Sequence, residues 1–235
     1  MKKIFAIVLG VVLLAGTQAN AQISVGAGWL NSTEKSVTTY NDGSKNVSEP
    51  TNLNGFYAGG QYNIPIVGGL SVAPGLYASV LFGKKTGSVS YIVGSTNLQQ
   101  DYTEIALNVP VNVNYAFEIG DFKLIAYAGP NFQYGIVSND VITTSSTTIL
   151  GDGSTKDTFN HYTGQVTHSN GSSNTNADNI DRNPFNIYIG GGLVFQAGNI
   201  MVNVGYDHSI LNFYKGNANT NTYRSQIKIG VGYAF

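Results

Sequence analysis

The chain has no cysteine and few charged residues. Among its 235 residues, Lys, Arg, Asp and Glu together make up 11 %, well under the roughly 25 % of an ordinary soluble domain. Without cysteine, disulfides, thiol catalysis and cysteine-ligated metal sites are excluded. Twelve basic residues stand against thirteen acidic ones, with no basic run, so we expect no nucleic-acid partner.

Long apolar runs are also missing outside the N-terminus, which excludes a helical membrane protein. The N-terminus itself has Lys2 and Lys3, an apolar run over residues 4–15 and the small-residue pattern Ala19-Asn20-Ala21. The run is shorter than the roughly 20 residues that a spanning helix needs. We therefore expect residues 1–21 to be a signal peptide cleaved after its last alanine.

The predicted mature part, residues 22–235, is rich in glycine and tyrosine and alternates between apolar and polar or small residues in eight segments. In the clearest one, 103–117, Ile105 and Leu107 share one parity while Asn108 has the other. Such alternation predicts strands with one apolar face. The predicted strands are 23–30, 53–64, 70–82, 103–117, 122–136, 185–196, 199–208 and 223–235.

The connections alternate between short turns and long polar loops, of which the longest covers about 137–184. This pattern is typical of outer-membrane barrels, with turns in the periplasm and loops outside. It predicts an all-β fold, an eight-stranded antiparallel up-and-down transmembrane β-barrel. The long loop is dominated by Ser, Thr, Asn, Gly and Asp, so we expect it to be mobile or to form only a short hairpin, by extension and folding back of the fifth strand.

The strand phenylalanines all share the apolar parity, which predicts an outward face with aromatic bands at both membrane interfaces. The inward parity is mostly Gly, Ser and Asn, because a narrow barrel needs small residues beside its few large ones. The outward phenylalanines are Phe56, Phe82, Phe117, Phe122, Phe132, Phe185, Phe195 and Phe235. The predicted lumen tyrosines are Tyr57, Tyr77, Tyr127 and Tyr188.

Five charged side chains fall on the inward parity, and unpaired charges there would be costly. We therefore predict that they form a charge network across the lumen, made of Glu104, Lys123, Asp207, Arg224 and Lys228. This network favours a plugged barrel; the alternative is a narrow, weakly selective pore. A soluble lipocalin-like barrel with its apolar face inward is disfavoured, because its outer surface would have almost no charge.

The last strand ends in Tyr233-Ala234-Phe235, which resembles the C-terminal signal read by the barrel-assembly machinery. The run from Glu104 to Val111, followed by Tyr127-Ala128-Gly129-Pro130, is similar to a motif of PorT-like outer-membrane β-barrel proteins, with Ala106 in place of that family's usual proline. The resemblance implies an eight-stranded barrel in the bacterial outer membrane, of the small OmpA or OmpX type. It implies adhesion or envelope roles only by analogy.

No catalytic or metal-binding pattern emerges from the sequence. His208-Ser209 differs from the H-x-S order of lipid A deacylases, so the two side chains should point to opposite faces. His161 and His168 lie in the long loop at a spacing that matches no zinc site, and a solvated loop is the preferred interpretation. We expect no cofactor, no metal and no catalysis.

The functional hypothesis is a monomeric, non-catalytic barrel embedded in outer-membrane lipid, with a structural or surface-interaction role. Exposed polar loops on a rigid scaffold are natural recognition surfaces, so an extracellular ligand or protein is the partner we consider. The alternatives kept are the narrow channel and a lipid A-modifying enzyme.

Overall fold

The computed structural model describes residues 22–91, 94–148, 151–175, 180–215 and 219–235. These residues form twelve antiparallel strands. No helix among them is long and apolar enough to span a membrane. The predicted signal peptide lies outside the described residues. The strands are β1 Gln22–Thr39, β2 Lys45–Val47, β3 Thr51–Val67, β4 Leu70–Tyr91, β5 Gly94–Ile119, β6 Phe122–Thr148, β7 Gly151–Asn160, β8 Gln165–Thr167, β9 Ser173–Thr175, β10 Phe185–Ala197, β11 Ile200–Ser209 and β12 Thr220–Ala234.

Eight of these strands close into a ring, which confirms the predicted up-and-down barrel. The order is β1-β3-β4-β5-β6-β10-β11-β12, with β12 pairing back to β1 and β10 pairing with β6. All eight predicted segments lie in these strands, except that the last two extend beyond them by one residue, Asn199 and Phe235. The short connections turn at glycines with positive φ, such as Gly120 (60°) and Gly198 (57°), a conformation that costs other residues more. We call this end the turn side and the opposite end the loop side.

The strands on the loop side are longer than predicted. In β6 and β7, residues 139–148 pair in register with residues 151–160 and form a ribbon beyond the ring, joined by the short strands β8 and β9. The predicted extension and folding back is therefore present. The expectation of only a short hairpin is wrong. Residues 139–148 also pair with residues 94–103 of β5, so the ribbon continues the sheet of the ring, and its Ser and Thr pair without burying a core.

The outer surface of the ring is apolar, and the predicted phenylalanines are all exposed on it. Aromatic residues gather in two bands near the strand ends. The loop-side band contains Trp29, Phe56, Phe82, Phe132, Tyr134, Phe185, Tyr206 and Tyr223, and the turn-side band contains Tyr115, Phe117, Phe122, Phe195, Tyr233 and Phe235. An apolar belt bounded by two aromatic bands is the surface of a barrel that spans a bilayer.

The interior changes character along the barrel axis. Toward the turn side it is lined by asparagine, glutamine and glycine around the tyrosines. Toward the loop side Leu30, Leu53 and Leu81 form a buried layer with Tyr102. The sequence does not predict this leucine layer, because all three leucines fall on the inward parity, which is otherwise mostly small and polar.

Candidate functional site

The loop-side half of the lumen is closed by a buried ionic cluster centred on Arg224. Its guanidinium is 0 % exposed and the carboxylate of Glu104 is 1 % exposed. Nη1 and Nη2 of Arg224 donate to the two oxygens of Glu104 at 2.5 and 2.8 Å, and Nε donates to Glu34 Oε1 at 3.1 Å. The fork of an arginine matches a carboxylate in this paired geometry.

A second arginine enters the cluster from a loop. Arg182 lies in the segment 180–184 before β10, and its Nη1 donates to Glu34 Oε1 at 3.0 Å and to the Tyr102 hydroxyl at 2.9 Å. The Phe213 ring covers both cations, with centroids 5.3 Å from Cζ of Arg182 and 4.1 Å from Cζ of Arg224. Two buried carboxylates thus face two guanidiniums, and the charges balance.

Backbone hydrogen bonds hold the two loop segments over the barrel. The amide of Asn183 donates to the carbonyl of Phe213, and the amide of Lys215 donates to the carbonyl of Asp181, at 2.9 and 2.7 Å. We call segment 180–184 the strap. We call the cluster that it covers the loop-side seal; its residues are Glu34, Glu104, Arg182, Phe213 and Arg224.

His161 fastens the strap to the ribbon and is buried, which corrects its interpretation as part of a solvated loop. Its Nε2 lies 2.8 Å from Asp140 Oδ2 on β6, and its Nδ1 lies 2.8 Å from Asp181 Oδ1 on the strap. Carboxylates only accept hydrogen bonds, so both contacts are hydrogen bonds when the imidazole is protonated and both of its nitrogens donate. The rings of Tyr102 and Phe159 pack beside it.

The environment of His161 shifts two pKa values outside the membrane belt. Burial and the Arg182 charge lower the pKa of His161, but the hydrogen bonds with Asp140 and Asp181 outweigh them and raise it above 6.5. Burial raises the pKa of Asp140, but the hydrogen bond and charge of His161 outweigh this and hold it below 3.8.

These shifts predict that the strap is attached most tightly between about pH 4 and pH 6.5. The raised pKa of His161 means that its contribution is complete below 6.5 and is lost as the pH rises through the folded value. The contribution of Asp140 is lost only as the pH falls below its ordinary range. Hydrogen exchange at the amides of Asn183 and Lys215, corrected for intrinsic rates, should be faster at pH 8.5 than at pH 5.5.

Two substitutions distinguish the titration of His161 from a general destabilisation of the loops at high pH. His161→Asn should remove the pH dependence. His168→Asn should keep it, because His168 lies in an exposed pair with Asp157 at 3.1 Å and does not contact the strap. Equal protection at both pH values in the unmodified protein would contradict the assignment of His161.

The other residues predicted for the charge network do not all lie in the lumen. Lys228 Nζ lies 2.5 Å from Asp207 Oδ2 in the lumen, as a second pair separate from the seal. Lys123 is not brought to either pair. Its side chain is 48 % exposed at the turn side, 3.7 Å from Glu118, because it stands next to the short turn, where the lumen opens.

The four predicted lumen tyrosines all point inward. The hydroxyl of Tyr188 donates to Gln133 at 3.0 Å, that of Tyr57 to Asn203 at 3.1 Å and that of Tyr77 to Gln61 at 3.4 Å. Tyr127 lies against glycines of β10 and β11, where a Cβ at Gly205 would collide with its hydroxyl.

Below the seal, the turn-side half of the lumen contains a cavity of about 140 Å³. Its wall is made of amide side chains, tyrosines and the Lys228–Asp207 pair. It extends to residues at the turn-side end, such as Gln22, Asn63 and Ala234. The described lumen is therefore a cavity toward the turn side that is closed toward the loop side.

The His208–Ser209 pair is not arranged as a nucleophile with its base. His208 is exposed on the outer face, with Nδ1 2.9 Å from Ser225 Oγ. Ser209 is buried on the inner face, and its Oγ accepts the backbone amide of Arg224 at 2.8 Å. In the part of the chain that the structure describes, no three His, Asp or Glu residues are grouped to hold a metal.

The fold and the closed lumen define a membrane-spanning β-barrel with a polar interior. No protein-family model matches the sequence, and no curated protein sequence matches it. Similar solved structures include Ail, the attachment invasion locus protein of Yersinia pestis, in complex with the heparin analogue sucrose octasulfate (15 % identity, 92 % of this chain and 99 % of that chain, TM-score 0.36).

Two further similar structures are Neisserial surface protein A (12 % identity, 92 % and 99 % covered, TM-score 0.40) and the outer membrane protease OmpT from Escherichia coli (11 % identity, 93 % and 98 % covered, TM-score 0.34). At this level of similarity, no activity or ligand carries over to the present chain.

Proposed function

We propose that this protein is a non-catalytic barrel of a bacterial outer membrane that presents a rigid polar ribbon at the cell surface. The observation that carries the proposal is the loop-side seal. Arg224 and Glu104 are fully buried in the lumen, and the strap lies over them. Because a pore would need a continuous wet path at this level, the geometry favours a surface role over conduction.

The proposed outer-membrane location rests on the outer face of the barrel and on its topology. The apolar belt fits a bilayer, and the short turns on one side with long connections on the other are typical of outer-membrane barrels. Residues 1–21 fit export by a cleaved signal peptide. Tyr233 and Phe235 point outward at the end of the barrel, in keeping with a C-terminal assembly signal. From the resemblance of its sequence motif, we also propose that the protein is PorT-like.

Planar-bilayer conductance tests the closed lumen. We expect the purified, refolded protein to give no conductance steps, because the ionic cluster fills the lumen. Serine at Glu34, Glu104, Arg182 and Arg224 removes every charge of the seal and should open a small conductance if the barrel still folds. Frequent steps in the unmodified protein, with sign selectivity lost on Lys228→Met, would favour the channel instead.

The surface role is tested by shortening the ribbon. Residues 145–154 can be replaced by Asn-Gly, which gives a two-residue hairpin turn between the paired positions Thr144 and Thr155, a hydrogen-bonded pair in this ladder. We expect this variant to keep the heat-modifiable migration of a folded barrel and to lose cell-to-cell or cell-to-surface adherence. A variant with unchanged adherence would exclude the ribbon as the interacting surface.

A further inference from the structure

We propose that β7 pairs, edge to edge, with β7 of a second copy of this chain on a facing membrane. The inference rests on the proposed surface role of the ribbon and names its partner. β7 pairs with β6 over its whole length, but with β8 only at Thr158 and Phe159. No described strand lies beside the other edge of residues 151–157, which we call the open edge. Such an edge is a template for pairing with another chain.

The backbone groups of β7 alternate in direction along the strand. The amide of His161 donates to the carbonyl of Ser138 at 2.8 Å, one step beyond the register pair Asn139–Asn160. Odd-numbered residues of β7 therefore direct their N–H and C=O groups to β6, and even-numbered residues direct theirs away from it. Within the open edge, the even-numbered residues are Asp152, Ser154 and Lys156.

The two ends of the open edge determine the register of a self-pairing. The pairing with β8 begins just after Asp157, and the connection from β6 comes just before Gly151, so the midpoint is Ser154. Two antiparallel copies related by a two-fold axis overlap fully only when this serine stands opposite itself. Even-numbered residues then face even-numbered residues, so the outward N–H and C=O groups of the two strands meet in hydrogen-bonded pairs.

The charges of the open edge are complementary to themselves in this register. Asp152 of one copy stands opposite Lys156 of the other, and the two-fold axis repeats the pair. Both side chains are exposed, and their cross-strand neighbours within the ribbon, Thr147 and Thr143, are uncharged. Opposite charges directly across a strand pair stabilise the pairing, whereas like charges oppose it. The register that overlaps the edge fully is therefore also the one that pairs its charges.

A second stretch of the sheet, on β4, lacks this complementarity. Residues 83–91 of β4 extend beyond its last pair with β3, which is Asn54–Phe82. The charged residues of this stretch, Lys84 and Lys85, are both basic. Self-pairing there would gather the lysines of two copies with no carboxylate on the stretch to face them. The charge pattern therefore favours β7.

The direction of β7 places the second copy on another membrane. β6 leaves the ring and β7 returns toward it, in every copy. Two copies in one membrane, related by an axis along the bilayer normal, would therefore bring their β7 strands together in parallel. An antiparallel pairing requires an inverted second copy, as on a facing cell. One such contact is short, so adhesion would come from many copies acting together.

Charge exchange at the two positions tests the proposal on cells that display the full-length protein. Asp152→Lys gives lysine at both positions, and Lys156→Asp gives aspartate at both. Each variant should form about tenfold fewer clusters with itself than the unmodified protein. A mixture of the two variants, on cells with different fluorescent labels, should recover two-coloured clusters, because each lysine then faces an aspartate. Flow cytometry counts the clusters in cells matched for heat-modifiable, folded barrel.

Glu49→Lys and Lys45→Asp are the matched controls. They make the same changes of net charge between β1 and β3, away from β7, and should leave clustering unchanged. The ribbon-shortened variant separates the two proposals. If it loses adherence to other surfaces while unmodified cells do not cluster with one another, the surface role stands and the self-pairing is overturned. Unchanged clustering of either β7 variant with itself, or no recovery in the mixture, would also overturn the self-pairing.

Discussion

Arg224→Met is expected to lower the free energy of unfolding by about 3–5 kcal/mol, because it leaves buried carboxylates without their main partner. Arg224 contacts both Glu34 and Glu104 and is itself completely buried. Arg182 stays within reach of both carboxylates, at 3.0 and 4.0 Å, but a single cation cannot neutralise two. Urea-induced unfolding in detergent or lipid vesicles, followed by tryptophan fluorescence, measures the change.

Two further variants isolate the charge effect from the loss of side-chain volume. Arg224→Met combined with Glu104→Gln leaves one cation, Arg182, facing one carboxylate, Glu34, so the double variant should recover about 1–3 kcal/mol relative to Arg224→Met alone. Lys123→Met removes a cation from the exposed pair with Glu118 and should cost only about 0–1 kcal/mol. Similar losses for Arg224→Met and Lys123→Met would show that the seal does not act as a buried ion network.

The barrel could be predicted from the sequence because period-2 alternation acts residue by residue. Each strand has one apolar face, and the short turns fix which strands pair. Glu104, Arg224, Asp207 and Lys228 were placed on the inward parity for the same reason. Lys123 has that parity too, but parity says nothing about depth, and a residue beside a turn reaches water.

The remaining members of the site could not be predicted, for two physical reasons. Glu34 shares the parity of Leu30 and Ser32, but on the loop side the polar outward residues hide the alternation, so the predicted strand ends at residue 30. Arg182 and His161 lie in a long polar connection without periodicity. The path of the strap brings Arg182 to Glu34, and the pairing of β6 with β7 brings His161 to Asp140. A charged residue in such a connection gives no local signal of burial.

A charge introduced into the apolar belt should lower the free energy of unfolding by an amount similar to the loss of Arg224. Val204 lies on β11 within the belt, 47 % exposed, between its register neighbours Leu193 on β10 and Ile229 on β12. Val204→Arg would place a cation against the hydrocarbon of the bilayer, away from the aromatic bands. We expect it to lower the free energy of unfolding in lipid vesicles by about 2–4 kcal/mol.

Val47→Arg is the matched control for this prediction. Val47 is 48 % exposed, but it belongs to β2, which pairs with the loop-side end of β1 and lies outside the ring. The two valines thus differ in their surroundings and hardly at all in exposure. In water an exposed substitution of this kind changes stability by about 0.5 kcal/mol or less. Equal effects at the two positions in vesicles would mean that the belt does not face lipid, because only a surrounding of hydrocarbon makes the same charge costly at one valine and harmless at the other.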